Sequence, residues 1–199
     1  MDVEDSHQRN DLKAEKTRVR AEALARRDAM GEEARIEVSL SIAAELGESL
    51  DFDPGTIVSG FLPIRSEIDL RPLMARLADR GARLCVPAIV GGELEFRQLL
   101  RGEPLVPQGF GTLAPGEGAA VLDPQLMLVP LSAFDARCHR IGYGRGYYDR
   151  AIARLRMKGL SPRLVGVAFA VQEVDKVPTE PHDVALDMVA TEAGIRRPV

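Results

Sequence analysis

The sequence predicts an α/β fold in which a mostly parallel sheet is joined by crossover helices. Three observations carry that reading. Short apolar runs at residues 56–62, 83–87, 126–130 and 164–168 have the length and character of buried strands, and the first is bounded by Pro54, Gly55 and Pro63. The segments at 68–79 and 148–157 that fall between such runs read as helices. The connections are short, and a strand, helix, strand order with short connections is the pattern of parallel strands with crossover helices.

In chain order, residues 11–50 come first. Leu12, Val19, Ala23 and Leu24, then Ile36, Leu40, Ala43 and Leu46, recur at three- and four-residue steps among charges, which predicts two helices separated near Gly31. The strand at 56–62 follows, then the helix at 68–79 closed by Gly81, then the strand at 83–87. Residues 93–100 read as a strand or hairpin, and residues 102–124, rich in Gly and Pro, as loop. LMLVP at 126–130 is a strand, 148–157 a helix, LVGVA at 164–168 a strand, and 188–191 a short final strand. Residues 1–10 are polar and acidic and are expected to form a disordered tail ahead of a single domain over 11–199.

Composition bounds the function. With 45% hydrophobic and 28% charged residues among 199, the chain has the balance of a packed domain, not of a disordered segment. A formal net charge of −4 and a pI near 5.5 argue against broad nucleic-acid binding, so any phosphate site must be local. Cys85 and Cys138 offer neither a metal-ligand spacing nor a disulfide framework, which points to a reducing compartment and predicts a cytoplasmic location. No apolar run approaches the roughly 20 residues a membrane span needs.

The most informative stretch is RIGYGRGYYDR at 140–150, between a predicted strand and a predicted helix. Gly142, Gly144 and Gly146 allow close approach to a ligand, and a loop running into a helix N-terminus offers free N–H donors at the positive end of the dipole. A tight turn with aromatic packing explains the glycine spacing equally well. Arg140 and Arg145 favour phosphate, because cations among the glycines supply charge-assisted contacts.

Asp149 stands in the first turn of the helix, where a carboxylate is either a cap or a magnesium ligand. A second acid for the latter role is Asp183, in PTEPHDVALD at 178–187, where Glu180, Asp183 and Asp187 are otherwise solvated loop charges. His182 reads as a surface residue, and three histidines in the chain give no zinc site. Lys13, Lys16, Arg18, Arg20, Arg26 and Arg27, mixed with Glu15, Glu22 and Asp28, read as a solvated helix face, although Lys16 and Arg20 stand four apart and can both reach one anion. Glu67 lies beyond the carboxyl end of the 56–62 strand, where parallel sheets place ligand contacts, and is equally placed to start a helix.

LMLVPLSAFDARCHRIGYGRGYYDR at 126–150 closely resembles the hallmark of the 5-formyltetrahydrofolate cyclo-ligase family: an apolar strand ending in Val-Pro, an Ala/Gly-Phe-Asp triplet, then an Arg-Leu-Gly-x-Gly-x-Gly-Tyr-Tyr-Asp run. KTRVR at 16–20, FLPIRSEIDLRPL at 61–73, VGVAFAVQ at 165–172 and PTEPHDVALDMVATE at 178–192 extend the likeness over nearly the whole chain in the family's order. The resemblance implies a three-layer α/β/α sandwich similar to the sugar-isomerase and CoA-transferase superfamily, with N-terminal helices. It implies that Lys16, Arg20 and the run Arg140, Ile141, Gly142, Tyr143, Gly144, Arg145, Gly146, Tyr147 and Tyr148 contact ATP, the co-substrate. Leu62 and Glu67 would line the folate site together with Tyr143, Gly144, Arg145, Gly146 and Tyr147, Asp149 and Asp183 would hold Mg²⁺, and Arg140, Arg145 and Tyr147 would serve the reacting groups. Three positions depart from the pattern: Leu131 and Cys138 stand where the family often has Gly, and Arg145 where it commonly has Lys.

The implied reaction turns 5-formyltetrahydrofolate and ATP into 5,10-methenyltetrahydrofolate, ADP and phosphate. The formyl oxygen attacks the γ-phosphate, N10 adds to the activated carbon, and phosphate departs. Such chemistry needs positioning and charge neutralisation more than covalent help, which agrees with the absence of a Ser-His-Asp or Cys-His set from the sequence. A non-catalytic nucleotide- or folate-binding relative is the alternative reading, and an ATP-independent sugar-phosphate isomerase a third. A monomer acting on small molecules, without nucleic acid or membrane, is expected.

Overall fold

The structure is a computed structural model that describes residues 3–109 and 111–198, with side chains from residue 10 onward. Four α-helices are described: α1 (Val3–Asp28), α2 (Glu32–Ser49), α3 (Arg71–Asp79) and α4 (Tyr147–Met157). The first five strands are β1 (Ile57–Ser59), β2 (Arg83–Val90), β3 (Glu93–Gln98), β4 (Leu105–Gly109) and β5 (Thr112–Pro115). They are followed by β6 (Leu126–Val129), β7 (Ala133–Phe134), β8 (Arg140–Ile141), β9 (Arg163–Val167), β10 (Met188–Thr191) and β11 (Gly194–Arg196).

The central sheet has seven strands in the order β11-β10-β9-β6-β1-β2-β3. The pairs from β2 through β1, β6 and β9 to β10 are all parallel, and the edge strands β3 and β11 join antiparallel. This is the mostly parallel α/β architecture that the strand and helix order predicts. Strand side chains alternate between two cores. Leu126 and Leu128 pack with Ile42 and Leu46 of α2 and Leu73 and Leu77 of α3, whereas Met127 and Val129 pack with Ile152 and Leu155 of α4. A strand buried on both faces reads as a continuous apolar run, and that is why LMLV was recognisable in sequence. Helices thus cover both faces of the sheet, in three layers.

Both crossover helices stop in the same way. At the end of α3 the Ala82 N–H bonds Leu77 O (3.0 Å) and the Gly81 N–H bonds Ala78 O (2.8 Å); at the end of α4 the Leu160 N–H bonds Leu155 O (3.1 Å) and the Gly159 N–H bonds Arg156 O (2.9 Å). These paired bonds satisfy the last carbonyls of each helix.

Four features differ from the sequence reading. Helix α1 runs back to Val3, ahead of Asp11 where the apolar periodicity begins. The 102–124 stretch is not all loop: β4 and β5 form a two-stranded antiparallel ribbon anchored by buried Ala114, and its Gly and Pro content masked the strand signal. Strands β7 and β8, each two residues, form a second ribbon whose length is below what periodicity resolves. Residues 188–191 continue into a hairpin through β11. Among the described residues no helix is long and apolar enough to cross a membrane.

Leu131, one of the departures noted above, is accommodated by a glycine. A Cβ at Gly166 would stand 2.9 Å from Leu131 Cδ2 and 2.6 Å from Leu186 Cδ1, so the bare backbone of β9 makes room for both leucines. Gly166→Ala is expected to cost about 2 kcal/mol through overpacking. Leu131→Ala is expected to cost less in that background than in the parent chain, with a coupling near 1 kcal/mol in a double-mutant cycle followed by urea unfolding.

Candidate active site

Adjacent parallel strands β6 and β1 deliver the two candidate segments to the same end of the sheet, residues 130–146 after β6 and residues 60–67 after β1. Helix α1 lies across that end. Its Val19 and Ala23 pack with Ala133, Ile141 and Val177, which brings the cationic side of the helix onto the glycine loop.

The loop 142–146 runs from β8 into α4. Gly144 (φ 85°) and Gly146 (φ 63°) adopt the left-handed conformation, and Gly146 is the N-cap that leads the loop into the N-terminus of α4. Arg20 braces the loop: its Nε donates to Gly142 O at 2.7 Å, and its guanidinium lies where a Cβ on Gly144 would touch it. Arg150 donates to Arg145 O at 2.8 Å and stacks over the Tyr147 ring, 5.2 Å from its centre. Arg145 itself is exposed on the loop. The Tyr148 hydroxyl is buried and has no hydrogen-bond partner among the described residues. Burial first, and then the charge of Glu67, pushes its phenol far up.

Glu67 closes the turn that follows β1. Its backbone N–H donates to Ile64 O (3.1 Å), and the Ile64 N–H donates back to Glu67 Oε2 (2.9 Å). The Tyr143 hydroxyl donates to Glu67 Oε1 at 2.6 Å, joining the glycine loop directly to this turn. Burial raises the Glu67 carboxyl above its ordinary range, against the bonds from Tyr143 and Ile64 and the charges of Arg27 and Arg65. Leu62 packs against the core beside this turn.

The third part is acidic. Lys16 Nζ donates to Glu180 Oε2 (2.7 Å) and Asp183 Oδ2 (2.5 Å). Burial disfavours the charged ammonium, but the two carboxylates more than offset it and raise the Lys16 pKa. Glu180, His182 and Asp183 each present a ligand atom within 4.8 Å of the others. Asp149 Oδ1 accepts from Arg140 Nη1 (3.0 Å) and from the Val184 N–H (3.2 Å), so it stands against the residue next to Asp183. Two carboxylates that are far apart in sequence thus flank one turn.

The fold therefore gathers Lys16, Arg20, Glu67, the 140–149 run and Asp183 around one end of the sheet. Two groups are placed differently from their simplest reading. Arg140 is buried and bound to Asp149. Asp187, read as a loop charge, accepts the Leu164 N–H at 2.6 Å at the start of β9. Arg27 was missed. Read as part of a solvated face, it is only 1% exposed, with Nε donating to Ser66 Oγ (3.0 Å) and Nη1 to the Tyr143 hydroxyl (3.1 Å). The signal was present: Val19, Ala23 and Arg27 share one stripe at four-residue steps, so the cation continues an apolar face.

Residues 12–192 match the model of the 5-formyltetrahydrofolate cyclo-ligase family. The chain is 30% identical over 145 residues to the 5-formyltetrahydrofolate cyclo-ligase of Escherichia coli (strain K12), an alignment covering 69% of this chain and 79% of that enzyme. It is 24% identical over 186 residues to the enzyme of the same name from Mus musculus, covering 87% of this chain and 92% of that one. Among solved structures, the 5,10-methenyltetrahydrofolate synthetase of Aquifex aeolicus superimposes with a TM-score of 0.76 at 29% identity, over 92% of each chain.

Beneath the loop, Asp135 fixes the turn that turns β7 back into β8. Its side chain is fully buried; Oδ1 accepts the N–H groups of Arg137 (3.0 Å) and His139 (3.1 Å), and Oδ2 accepts the Val177 N–H (3.0 Å) and Arg137 Nη2 (2.8 Å). Cys138 completes the turn at φ 59°, so a thiol side chain keeps the left-handed conformation for which glycine is the usual residue. Burial raises the Asp135 carboxyl, but the Val177 amide and Arg137 outweigh burial and hold it below its ordinary range. A depressed folded-state pKa stabilises the fold above the unfolded carboxylate range, and that contribution is lost as pH falls through the folded value. Asp135→Asn is expected to destabilise the chain by about 2 kcal/mol at neutral pH and to flatten the acid limb of a melting-temperature profile.

Proposed function

The chain belongs to the 5-formyltetrahydrofolate cyclo-ligase family, and on that premise we propose that it is the ATP-dependent enzyme that cyclises 5-formyltetrahydrofolate to 5,10-methenyltetrahydrofolate, releasing ADP and phosphate. The observation that carries this reading is the 2.6 Å hydrogen bond from Tyr143, in the glycine loop, to Glu67, in the turn after β1. In this reading the loop and a half-buried carboxylate are two walls of one site. A cradle of helix-terminal amides suits a triphosphate, and a half-buried carboxylate suits the N–H donors of a reduced pterin.

In this reading the formyl oxygen of the substrate attacks the γ-phosphate, the bond from phosphorus to the β-bridging oxygen breaks, and ADP leaves. N10 then adds to the activated formyl carbon, loses its proton, and the carbon–oxygen bond breaks to release phosphate. The chain's part is to align the two substrates and spread the charge of the transferred group. The loop amides and Arg145 face the phosphates, Arg20 keeps the loop open by holding Gly142 O, and Arg140 acts by orienting Asp149. Lys16 belongs to the same cradle, four residues before Arg20 on α1. Tyr147, packed under Arg150, borders the folate side.

Asp149 and Asp183 are the residues we assign to Mg²⁺. The fit is supported by the donor chemistry, hard carboxylate oxygens suited to this ion, and by Lys16, whose ammonium sits between Glu180 and Asp183 and marks the turn as a place that favours a cation. When held by Asp149 and Asp183, the ion would supply charge neutralisation for the transferred phosphoryl group. The buried free thiols of Cys85 and Cys138 suit a reducing cytoplasm, and burial pushes the Cys85 thiol up to about 12, far from nucleophilic use. We propose a monomer as the working state.

The test is to mix the purified chain with 5-formyltetrahydrofolate, Mg²⁺ and ATP and follow the near-ultraviolet absorbance of the methenyl product. Product is expected only when ATP is present, and Asp149→Ala is expected to lower kcat by about 100-fold or more while the fold persists. No product from folded chain that binds ATP would overturn the proposal in favour of a non-catalytic relative.

A further inference from the structure

The site contains a cation that neither substrate needs to touch. Arg27 is buried, yet its guanidinium lies between the two residues that flank Glu67 in space: Ser66 on the same turn and Tyr143 on the glycine loop. Both hydroxyls accept from Arg27, and a hydroxyl that accepts from a cation must aim its own proton elsewhere. The Ser66 hydroxyl donates to Asp28 Oδ1, and the Tyr143 hydroxyl donates to Glu67 Oε1 at 2.6 Å. The direction of the Tyr143 proton is therefore set by Arg27.

The turn that carries Glu67 is itself strained. Arg65 has a φ of 54°, an uncommon conformation for a residue with a side chain. Such outliers persist where the surroundings over-determine them, commonly at ligand sites. Here the Ile64–Glu67 pair closes the turn from within and the Arg27–Ser66 bond holds it from α1. With Tyr143 on Oε1 and the Ile64 amide on Oε2, each carboxylate oxygen keeps acceptor capacity for one further donor.

From this arrangement we infer that Arg27 is a positioning residue which, through Tyr143, fixes the Glu67 carboxylate for a ligand bearing two adjacent N–H donors, and so makes folate recognition depend on the seating of α1 and the glycine loop. The inference rests on the proposed function for the identity of that ligand. It specifies how Tyr143 acts on the folate side, as the relay through which Arg27 orients Glu67.

Three variants test it: Tyr143→Phe, Arg27→Met and the pair combined. In the cyclisation assay each single variant is expected to raise KM for 5-formyltetrahydrofolate about tenfold, the loss of one bond to a charged acceptor, with KM for ATP changed less than about threefold. The pair is expected to be no worse than either alone, because Arg27 acts through Tyr143. A second readout does not need turnover. The groups facing Glu67 are Tyr143, Arg27, Arg65 and Tyr148. Removing the Tyr143 bond or the Arg27 charge removes a stabiliser of the ionised carboxylate, so carbon-13 NMR of the Glu67 carboxyl, assigned with Glu67→Gln, should titrate at higher pH in both variants. If wild-type chain gives no product, the proposed function fails and the titration still decides the inference. An unchanged Glu67 titration in folded Tyr143→Phe, or multiplicative KM effects in the pair, would overturn it.

Discussion

The buried guanidinium of Arg27 is the constraint on which the arrangement of the site depends. A charge withdrawn from water without partners is strongly unfavourable, and Arg27 meets that demand with two hydroxyls from different segments, Ser66 and Tyr143. Each of those segments follows a different strand of the sheet, β1 for Ser66 and β6 with the short β7–β8 ribbon for Tyr143. One side chain on α1 thereby links three parts of the chain that the sheet alone would leave as independent loops. The remaining contacts of α1 act in the same sense: Arg20 on Gly142 O, Lys16 on Glu180 and Asp183, and Val19 and Ala23 in a small apolar cluster. An N-terminal helix with little apolar surface is thus held by polar contacts to the site, and its docking and the site's geometry are one problem.

The legible part of the fold was the part governed by burial on two faces. LMLV at 126–129 and RLVGV at 163–167 alternate between the α2–α3 core and the α4 core, so every position is apolar or small apart from the edge residue, and such runs announce themselves. The glycine loop's backbone was legible for a related reason, since glycines beside a helix start constrain the chain locally and need no tertiary knowledge. What escaped were features decided by partners distant in sequence. Arg27 looked like one charge among many, and only the packing of Ala23 beneath loop residues turns that side of α1 inward. The pairing of Glu180 and Asp183 with Lys16 was not legible because Lys16 lies at the other end of the chain. The β4–β5 ribbon was hidden by its own turn residues.

The two departures at 131 and 138 show how a family pattern survives when its glycines do not. Glycine serves at such positions either for space or for conformation, and the two demands are met differently here. At 131 the demand is space, and it is passed to Gly166, which leaves room for the Leu131 side chain in the α4-side core. At 138 the demand is conformation, and Cys138 accepts the left-handed geometry outright, with Asp135 binding the amides on both sides of it and the thiol buried in the core. The strain of one residue is thus borne by a carboxylate with four donors, and the ribbon that positions Arg140 and the glycine loop keeps its path. Since Arg140 in turn holds Asp149, the register of the acidic groups at the start of α4 traces back, through a two-residue strand, to a turn whose usual glycine is absent.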